Sequence, residues 1–587
     1  MDYNRSPPTR ADSSVYQPPP MELDDMGRSP EPVEAYTLSK LRTDILAEMD
    51  MARFSWFQVK VCIVAGVGFF TDAYDIFAIS LAVVMIGLIY PGEDCQAKAW
   101  GYSMGRSDEL LIKLGTPLGN LFGQITFGWL ADVVGRKRMY GFELIIIIVS
   151  TFGQAVAGNS PGVNIYALLF AWRFFMGLGI GGDYPLSAIL ASEFASTRYR
   201  GRMMTSVFAA QGWGTLTAAL AAVVIVSGYH GQFDSFKDRS YDCSKIPSLA
   251  LHATEFAFID SMWRILIGFG CVPAAIALYF RLTIPETPRF SLDVEGDLPR
   301  AIHDVHADVL SVNTTNDAEV PKFNLRVPSA TWKDFRAYFG KLANAKVLFA
   351  TAYCWFALDM AYYGLGLNQP TVLQHIGIPR TNTNNTFEYL KGIAVGNLLV
   401  VAAGQIPGYW ASFIFIDSWG RKPLQYMGFI ALAIIFLVLG FGYDALQKTP
   451  PAQAAFMFFY ILANFFFNFG PNVTTFVVPG EVFPTRYRAT AHGLSAASGK
   501  LGAVIAQIIF HLKPPKSNAE FDYGSGTADT TAIKTSLQVF AFVMLSGAAA
   551  TYLLPEPKGK SLEELSNEDQ KTFVHGSSES AISNHHY

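Results

Sequence analysis

Residues 177–194 read GLGIGGDYPLSAILASEF, and Gly177, Gly179 and Gly182 match the spacing G-x-G-x-x-G. A dinucleotide turn with that spacing must follow a strand and open a helix in a soluble βαβ unit. Here the glycines follow YALLFAWRFFM, residues 166–176, inside an apolar run of membrane length. The match is therefore accidental, and the glycines are expected to let helices pack closely within a bilayer. That reading leaves Asp183 deep in the membrane.

The rest of the chain agrees with a membrane setting. Of 587 residues, 51% are hydrophobic and 14% aromatic, with only 16% charged, which departs far from soluble averages toward a polytopic membrane protein. A net charge of −4 and the lack of any long basic run outside short loops give no footing for nucleic acid. Residues 1–55 are polar and proline-dotted, so they read as a disordered cytoplasmic tail and not as a signal peptide. Five cysteines make no disulfide framework; Cys62, Cys271 and Cys354 fall in apolar segments, and Cys95 and Cys243 fall in expected outer loops, where a bond between them stays open. No paired metal ligands and no nucleophile constellation are found, so no enzyme, metal or cofactor is expected. The HDVH run at His303 reads as solvated.

About 20 apolar residues are needed per crossing, and twelve such runs occur. They lie near 57–90, 111–133, 139–158, 163–192, 203–228 and 262–283, then near 346–376, 389–416, 424–442, 453–480, 489–511 and 535–554. The expected architecture is all-α: an N-terminal six-helix bundle over 56–284, a central loop over 285–345, a second bundle over 346–555 and a tail over 556–587. Basic residues cluster in alternate loops at Arg136-Lys137-Arg138, Arg198/Arg200/Arg202, Arg421-Lys422 and Arg486/Arg488. The positive-inside rule then puts these loops, the central loop and both termini in the cytoplasm.

The halves repeat each other. GWLADVVGRKRMYG returns as FIDSWGRKPLQYMG, with Asp417 following Asp132 by 285 positions, and SEFASTRYRG returns as GEVFPTRYRA, with Arg486 following Arg198 by 288. Such a duplication is expected of transporters that bind substrate between two repeats. Asp132/Arg136 and Asp417/Arg421 resemble the signature loop of the major facilitator superfamily, which implies a gating latch after helices 2 and 8. Topology-setting charge alone would explain the basic residues but not the repeated Asp and Gly.

An ionisable group at mid-membrane costs about 2.5–3.5 kcal/mol on insertion scales and is a functional candidate by default. Asp183 qualifies, against the plainer alternative of a carboxylate capping a helix kinked at Pro185. Asp72 and Asp75 stand three apart on one helix face, and Asp359 follows Asp72 by 287 positions, making a symmetric set. Lys500 either neutralises an aspartate or attracts an anion. Arg173 and Glu143 are expected to pair with each other. Tyr184, Gln211, Trp355, Tyr363 and Asn472 are each read individually as packing groups, but together they supply donors around one cavity.

These segments resemble the phosphate:proton symporter family of the major facilitator superfamily, and within it the fungal high-affinity inorganic phosphate transporters. The resemblance rests on GGDYPLSA from Gly181, TDAYDIF from Thr71, WFALDMAYYG from Trp355, NFGPNVTTF from Asn468 and EVFPTRYRATAHGLSAASGK from Glu481. PETPR at Pro285 and PEPKGKSLEEL at Pro555 are shared with sugar porters and do not choose the substrate. The resemblance implies that phosphate is held by Tyr184, Gln211, Trp355, Asp359, Tyr363 and Asn472, while Asp72, Asp75, Asp183 and Lys500 serve proton coupling. It implies dihydrogen phosphate and protons as cargo and arsenate as a competing analogue, in a plasma-membrane protein. Dihydrogen phosphate both accepts and donates hydrogen bonds, whereas sulfate has no proton to offer Asp359 and is repelled. The alternatives are a proton-coupled symporter of a sugar or glycerophosphodiester, and a phosphate-sensing transceptor. Of the sequons, only Asn384-Asn-Thr is expected to face outward; those at Asn472 and Asn313 fall in a helix and a cytoplasmic loop.

Overall fold

The computed structural model describes residues 32–90, 106–234, 257–284, 286–305, 330–378, 386–512 and 531–568. Cys95, Cys243, Asn313 and Asn384 lie outside them. Among the described residues, twelve helical legs follow one another along the chain. In the first half they are α1 Trp56–Ile89, α2 Arg106–Val134, α3 Arg136–Ala155, α4 Ile165–Glu193, α5 Arg200–Gly228 and α6, which is split into Ala257–Gly268 and Cys271–Arg281. In the second half they are α7 Leu342–Gly366, α8, α9 Arg421–Phe441, α10, α11 Arg488–Leu512 and α12 Thr531–Thr551. Here α8 comprises Thr386–Val400, a π turn Val401–Gln405 and Ile406–Trp419, and α10 comprises Pro450–Asn468 and Pro471–Val482. Among the described residues nine helices meet the length and apolarity needed to cross a bilayer, and α2, α3 and α7 complete the bundles.

Local sequence sets the helix ends. Asn164 caps α4 by accepting from the amides of Tyr166 and Ala167, and Thr449 caps α10 through the Ala452 amide. The repeated loops turn at Gly135 and Gly420, with φ of 108° and 104°, a region that favours glycine. This explains why the glycine recurs with the charges.

The glycines of the opening stretch pack helices together. A Cβ on Gly177 would sit 2.3 Å from the Thr116 carbonyl oxygen of α2, and one on Gly179 would sit 2.7 Å from that of Glu143 in α3. The bundles meet just as closely: a Cβ on Gly493 of α11 would fall 2.2 Å from the Gln124 carbonyl oxygen of α2. One apolar core spans both halves, and large side chains such as Trp129, Phe152, Val224, Phe441 and Phe542 face outward, as a lipid surface requires.

At the basic end the stretch read as a disordered tail contains a helix, Pro32–Met51. Its Ile45, Leu46 and Met49 bury against Leu292, Ala301 and Val305, so apolar spacing that was too short to signal a membrane span still docks the segment.

Candidate functional site

Successive residues on α4 point about 100° apart, so Asp183 and Tyr184 face different neighbours. Asp183 turns into its own bundle, where Oδ1 accepts from Ser187 Oγ at 2.6 Å and Oδ2 accepts from Arg281 Nη2 at 2.5 Å. These partners are side chains, so the carboxylate is not a helix cap. Arg281 also donates to Glu143 Oε1 at 2.6 Å and lies 4.3 Å above the Tyr140 ring. Room for the pair comes from Gly68, whose Cβ would fall 1.5 Å from Arg281 Nη2.

The expected pairing of Arg173 with Glu143 is therefore wrong. Arg173 donates to the Ile112 carbonyl at 3.0 Å and to Gln154 Oε1 at 3.4 Å, and its charge faces Asp75. Thr151 donates to the other side of Asp75 at 2.9 Å. Asp72 is fully buried, no donor reaches either of its oxygens, and Asp183, Arg281 and Asp75 are its charged neighbours. The Arg281 guanidinium thus bonds two carboxylates, those of Asp183 and Glu143, and acts on a third, that of Asp72, through charge alone.

Tyr184 turns toward the second bundle. Gln211 Nε2 donates to its hydroxyl at 2.9 Å, and the hydroxyl lies 3.4 Å from that of Tyr363. Lys500 Nζ donates to Tyr363 at 3.0 Å and to Asp359 Oδ2 at 2.7 Å, so the buried lysine does neutralise an aspartate. The Trp355 ring lies 6.3 Å from that of Tyr184, and a Cβ on Gly499 would meet Trp355 at 2.5 Å. From Gln211 the chain of contacts continues through Tyr409, whose hydroxyl donates to Oε1 at 3.5 Å and accepts from Asn472 Nδ2 at 3.1 Å. Asn472 also donates to Asn468 Oδ1 at 2.7 Å.

All six residues assigned to anion binding thus converge between the bundles. Asp72 is near enough to Tyr363 for its carboxylate to act on the phenol, while Asp75 lies beside Arg173. Tyr409 and Arg281 were missed. A lone tyrosine in GQIPGYWASF reads as packing, and an arginine at a helix end reads as a topology charge. The space beside Tyr363 and Lys500 is a cavity of about 10 Å³ lined by Ile76, Asn120 and Arg173, room for about one water. A larger guest requires the bundles to part.

Both repeated loops lock one bundle to the other. Asp132 accepts from the Thr490 amide at 2.7 Å, the Thr490 hydroxyl at 2.8 Å and the Ala489 amide at 3.2 Å, capping α11 across the interface. Asp417 accepts from the Arg202 amide of α5 at 3.0 Å. Arg136 donates to the Thr485 carbonyl, and Arg421 forks onto Glu481 at 2.7 and 2.9 Å. A carboxylate at each helix N-terminus is favoured by the helix dipole.

Chemically, the centre offers amide, phenol and ammonium donors with one carboxylate acceptor, a set suited to a small oxyanion that carries its own proton. Two pseudo-symmetric bundles around such a centre define a secondary transporter of the major facilitator fold. Residues 61–568 match the sugar (and other) transporter family, and the chain belongs to it. It is 45% identical to the repressible high-affinity phosphate permease of Neurospora crassa, over 89% of both chains. It is 42% identical to the inorganic phosphate transporter PHO84 of Saccharomyces cerevisiae, over 92% of this chain and 89% of that one. Among solved structures, the proton:xylose symporter XylE superposes with a TM-score of 0.62 at 20% identity, covering 87% of this chain and 99% of that one, a likeness of fold alone.

Proposed function

We propose that this protein imports inorganic phosphate, as dihydrogen phosphate, together with protons by alternating access across the plasma membrane. The observation that carries this reading is the continuous set Gln211–Tyr184–Tyr363–Lys500–Asp359, which joins donors and one acceptor from both bundles. Identity of 42–45% to proteins named for phosphate transport supports it. In this reading the basic end, both tails and the 285–345 loop face the cytoplasm.

Phosphate binds by drawing Lys500 partly away from Asp359, whose carboxylate then accepts from a phosphate hydroxyl while Tyr184, Gln211, Trp355, Tyr363 and Asn472 donate. Protons enter at Asp72, beside Asp183, because three carboxylates around one guanidinium leave uncompensated charge that burial disfavours. A proton on Asp72 lets the bundles close over a less charged interior, and its release inward restores the repulsion. With more than one proton per phosphate, a negative interior supplies about 2.3 kcal/mol per charge per 100 mV. Asp75 is the reserve proton site, and the caps made by Asp132 and Asp417 must break before the inner side opens.

The test is uptake of labelled phosphate into reconstituted vesicles with and without an imposed pH gradient. Asp183→Asn is expected to abolish gradient-driven accumulation, and unchanged uphill uptake would remove its assigned role. Competition by arsenate, with none by sugars or sulfate, separates phosphate import from a sugar symporter.

A further inference from the structure

On the side of the central network away from the basic end lies a second cavity, of about 20 Å³, bounded by α1, α5, α6, α8 and the short helix Gln369–His375 that follows α7. Its α5 wall consists of Thr215, Ala218, Ala219 and Ala222. Thr215 is one helical turn beyond Gln211 and donates to its carbonyl, so a single stripe of α5 runs from the central site into this cavity. The alanines leave the space open. Phe77 forms the floor: its ring stacks on Tyr363 at 6.2 Å and meets Tyr362 edge-on at 6.0 Å. One aromatic layer therefore separates the cavity from the central donors.

Two amides lining this cavity each carry one unpartnered atom. Gln369 and Asn397 are 5% and 9% exposed, and neither Gln369 Nε2 nor Asn397 Oδ1 has a hydrogen-bond partner. Leaving a buried polar atom unsatisfied costs about 1–3 kcal/mol, so each such atom calls for an explanation. Asn397 also lies one turn before the π turn Val401–Gln405, and Val401 lines the cavity. Such π turns concentrate at functional positions and give a helix a point of adjustment. No charged side chain is among the lining residues.

We propose that this cavity is the closed form of an outer phosphate subsite, with Gln369 Nε2 donating to the anion, Asn397 Oδ1 accepting from its hydroxyl, and Phe77 gating the step to Tyr363. The inference rests on the phosphate reading above. An unpartnered donor and an unpartnered acceptor lining one cavity, with no carboxylate among its lining residues, match an oxyanion that still carries a proton, and repeat the amide pair Gln211 and Asn472 of the centre. In the closed molecule the volume holds one or two waters. Separation of the α7 and α8 ends would admit the anion.

The experiment introduces opposite charges at one position in the full-length protein and reads the kinetics of inorganic phosphate uptake in proteoliposomes. A charge in an entry path changes capture of an ion according to its sign, so Gln369→Glu is expected to raise KM roughly ten-fold with kcat within about two-fold, while Gln369→Lys does not raise KM. Asn397→Asp and Asn397→Lys repeat the pair from the other wall should either Gln369 variant fold poorly. If both charges move KM in the same direction, or neither moves it, the cavity holds water only and the subsite is overturned. Absence of phosphate uptake by the unsubstituted protein would instead overturn the phosphate reading itself.

Discussion

At the residue scale, function depends on which buried group each charge meets. Asp183 and Glu143 hold one arginine between them, Asp359 holds Lys500, and Asp72 holds none by hydrogen bond. Asp72 is thus the carboxylate whose charge is least compensated, which suits a group that gains and loses a proton. Tyr184 links the two sides of the network between the bundles because its hydroxyl touches Gln211 on one side and Tyr363 on the other. A hydrogen bond to a charged group is worth about 1.5–3 kcal/mol, so Tyr184→Phe is expected to raise the phosphate KM ten-fold or more. Initial-rate uptake at several phosphate concentrations checks this; an unchanged KM would place the anion elsewhere. The six residues proposed to bind phosphate could be named from the sequence only through their resemblance to a family, whereas composition and spacing alone showed only that polar groups recur at one depth.

At the element scale, the bundles close by backbone contact at glycine. Gly493 of α11 and Gly128 of α2 face each other, and a Cβ on Gly128 would lie 2.7 Å from the Ala489 carbonyl oxygen. Gly493→Ala pushes a methyl into the Gln124 carbonyl, an overpacking that costs about 1–3 kcal/mol in the closed arrangement. The expected outcome is a population shifted toward separation of α2 and α11 at the basic end, read as faster alkylation of a cysteine placed at Thr490. An alkylation rate equal to that of the glycine parent would show that the helices absorb the methyl without parting. Helix number and order followed from apolar runs, and the breaks in α6, α8 and α10 did not. The π turn in α8 contains no proline and only Gly404, so nothing in its composition separates it from regular helix.

At the scale of the whole molecule, the basic end is a network that ties the Pro32–Met51 helix and the segment around Glu563 to both bundles. Asp50 of the Pro32–Met51 helix pairs with Arg200 and Arg289 at 2.9 Å, Arg289 pairs with Glu563 at 2.9 Å, and Glu193 pairs with Arg488 at 2.8 Å. Burial by itself would raise the Glu563 carboxyl, but Arg289, aided by Arg488, brings it down to about 2. A glutamate in the unfolded chain titrates near 4.3, so the depressed folded value gives stability that is full above that pH. That stability fades as pH falls from about 4.3 toward 2. The unfolding temperature of the parent should therefore exceed that of Glu563→Gln by a constant margin above pH 5, and the margin should shrink at lower pH. A margin independent of pH would mean that Glu563 acts by shape and not by charge.

The sequence by itself determined the membrane setting, the duplication and the depth of the aspartates, because an apolar run of span length and a repeated loop are properties of order along the chain. Even the left-handed glycines at Gly135 and Gly420 are fixed there, since the turn is local. Only the tertiary structure decided that Arg281 and not Arg173 meets Glu143, and that Tyr409 joins the polar network between the bundles. Partner choice between helices depends on their rotation and separation, which are set by close approaches such as that of Gly68 to Arg281, and a residue's place in the chain does not specify those distances.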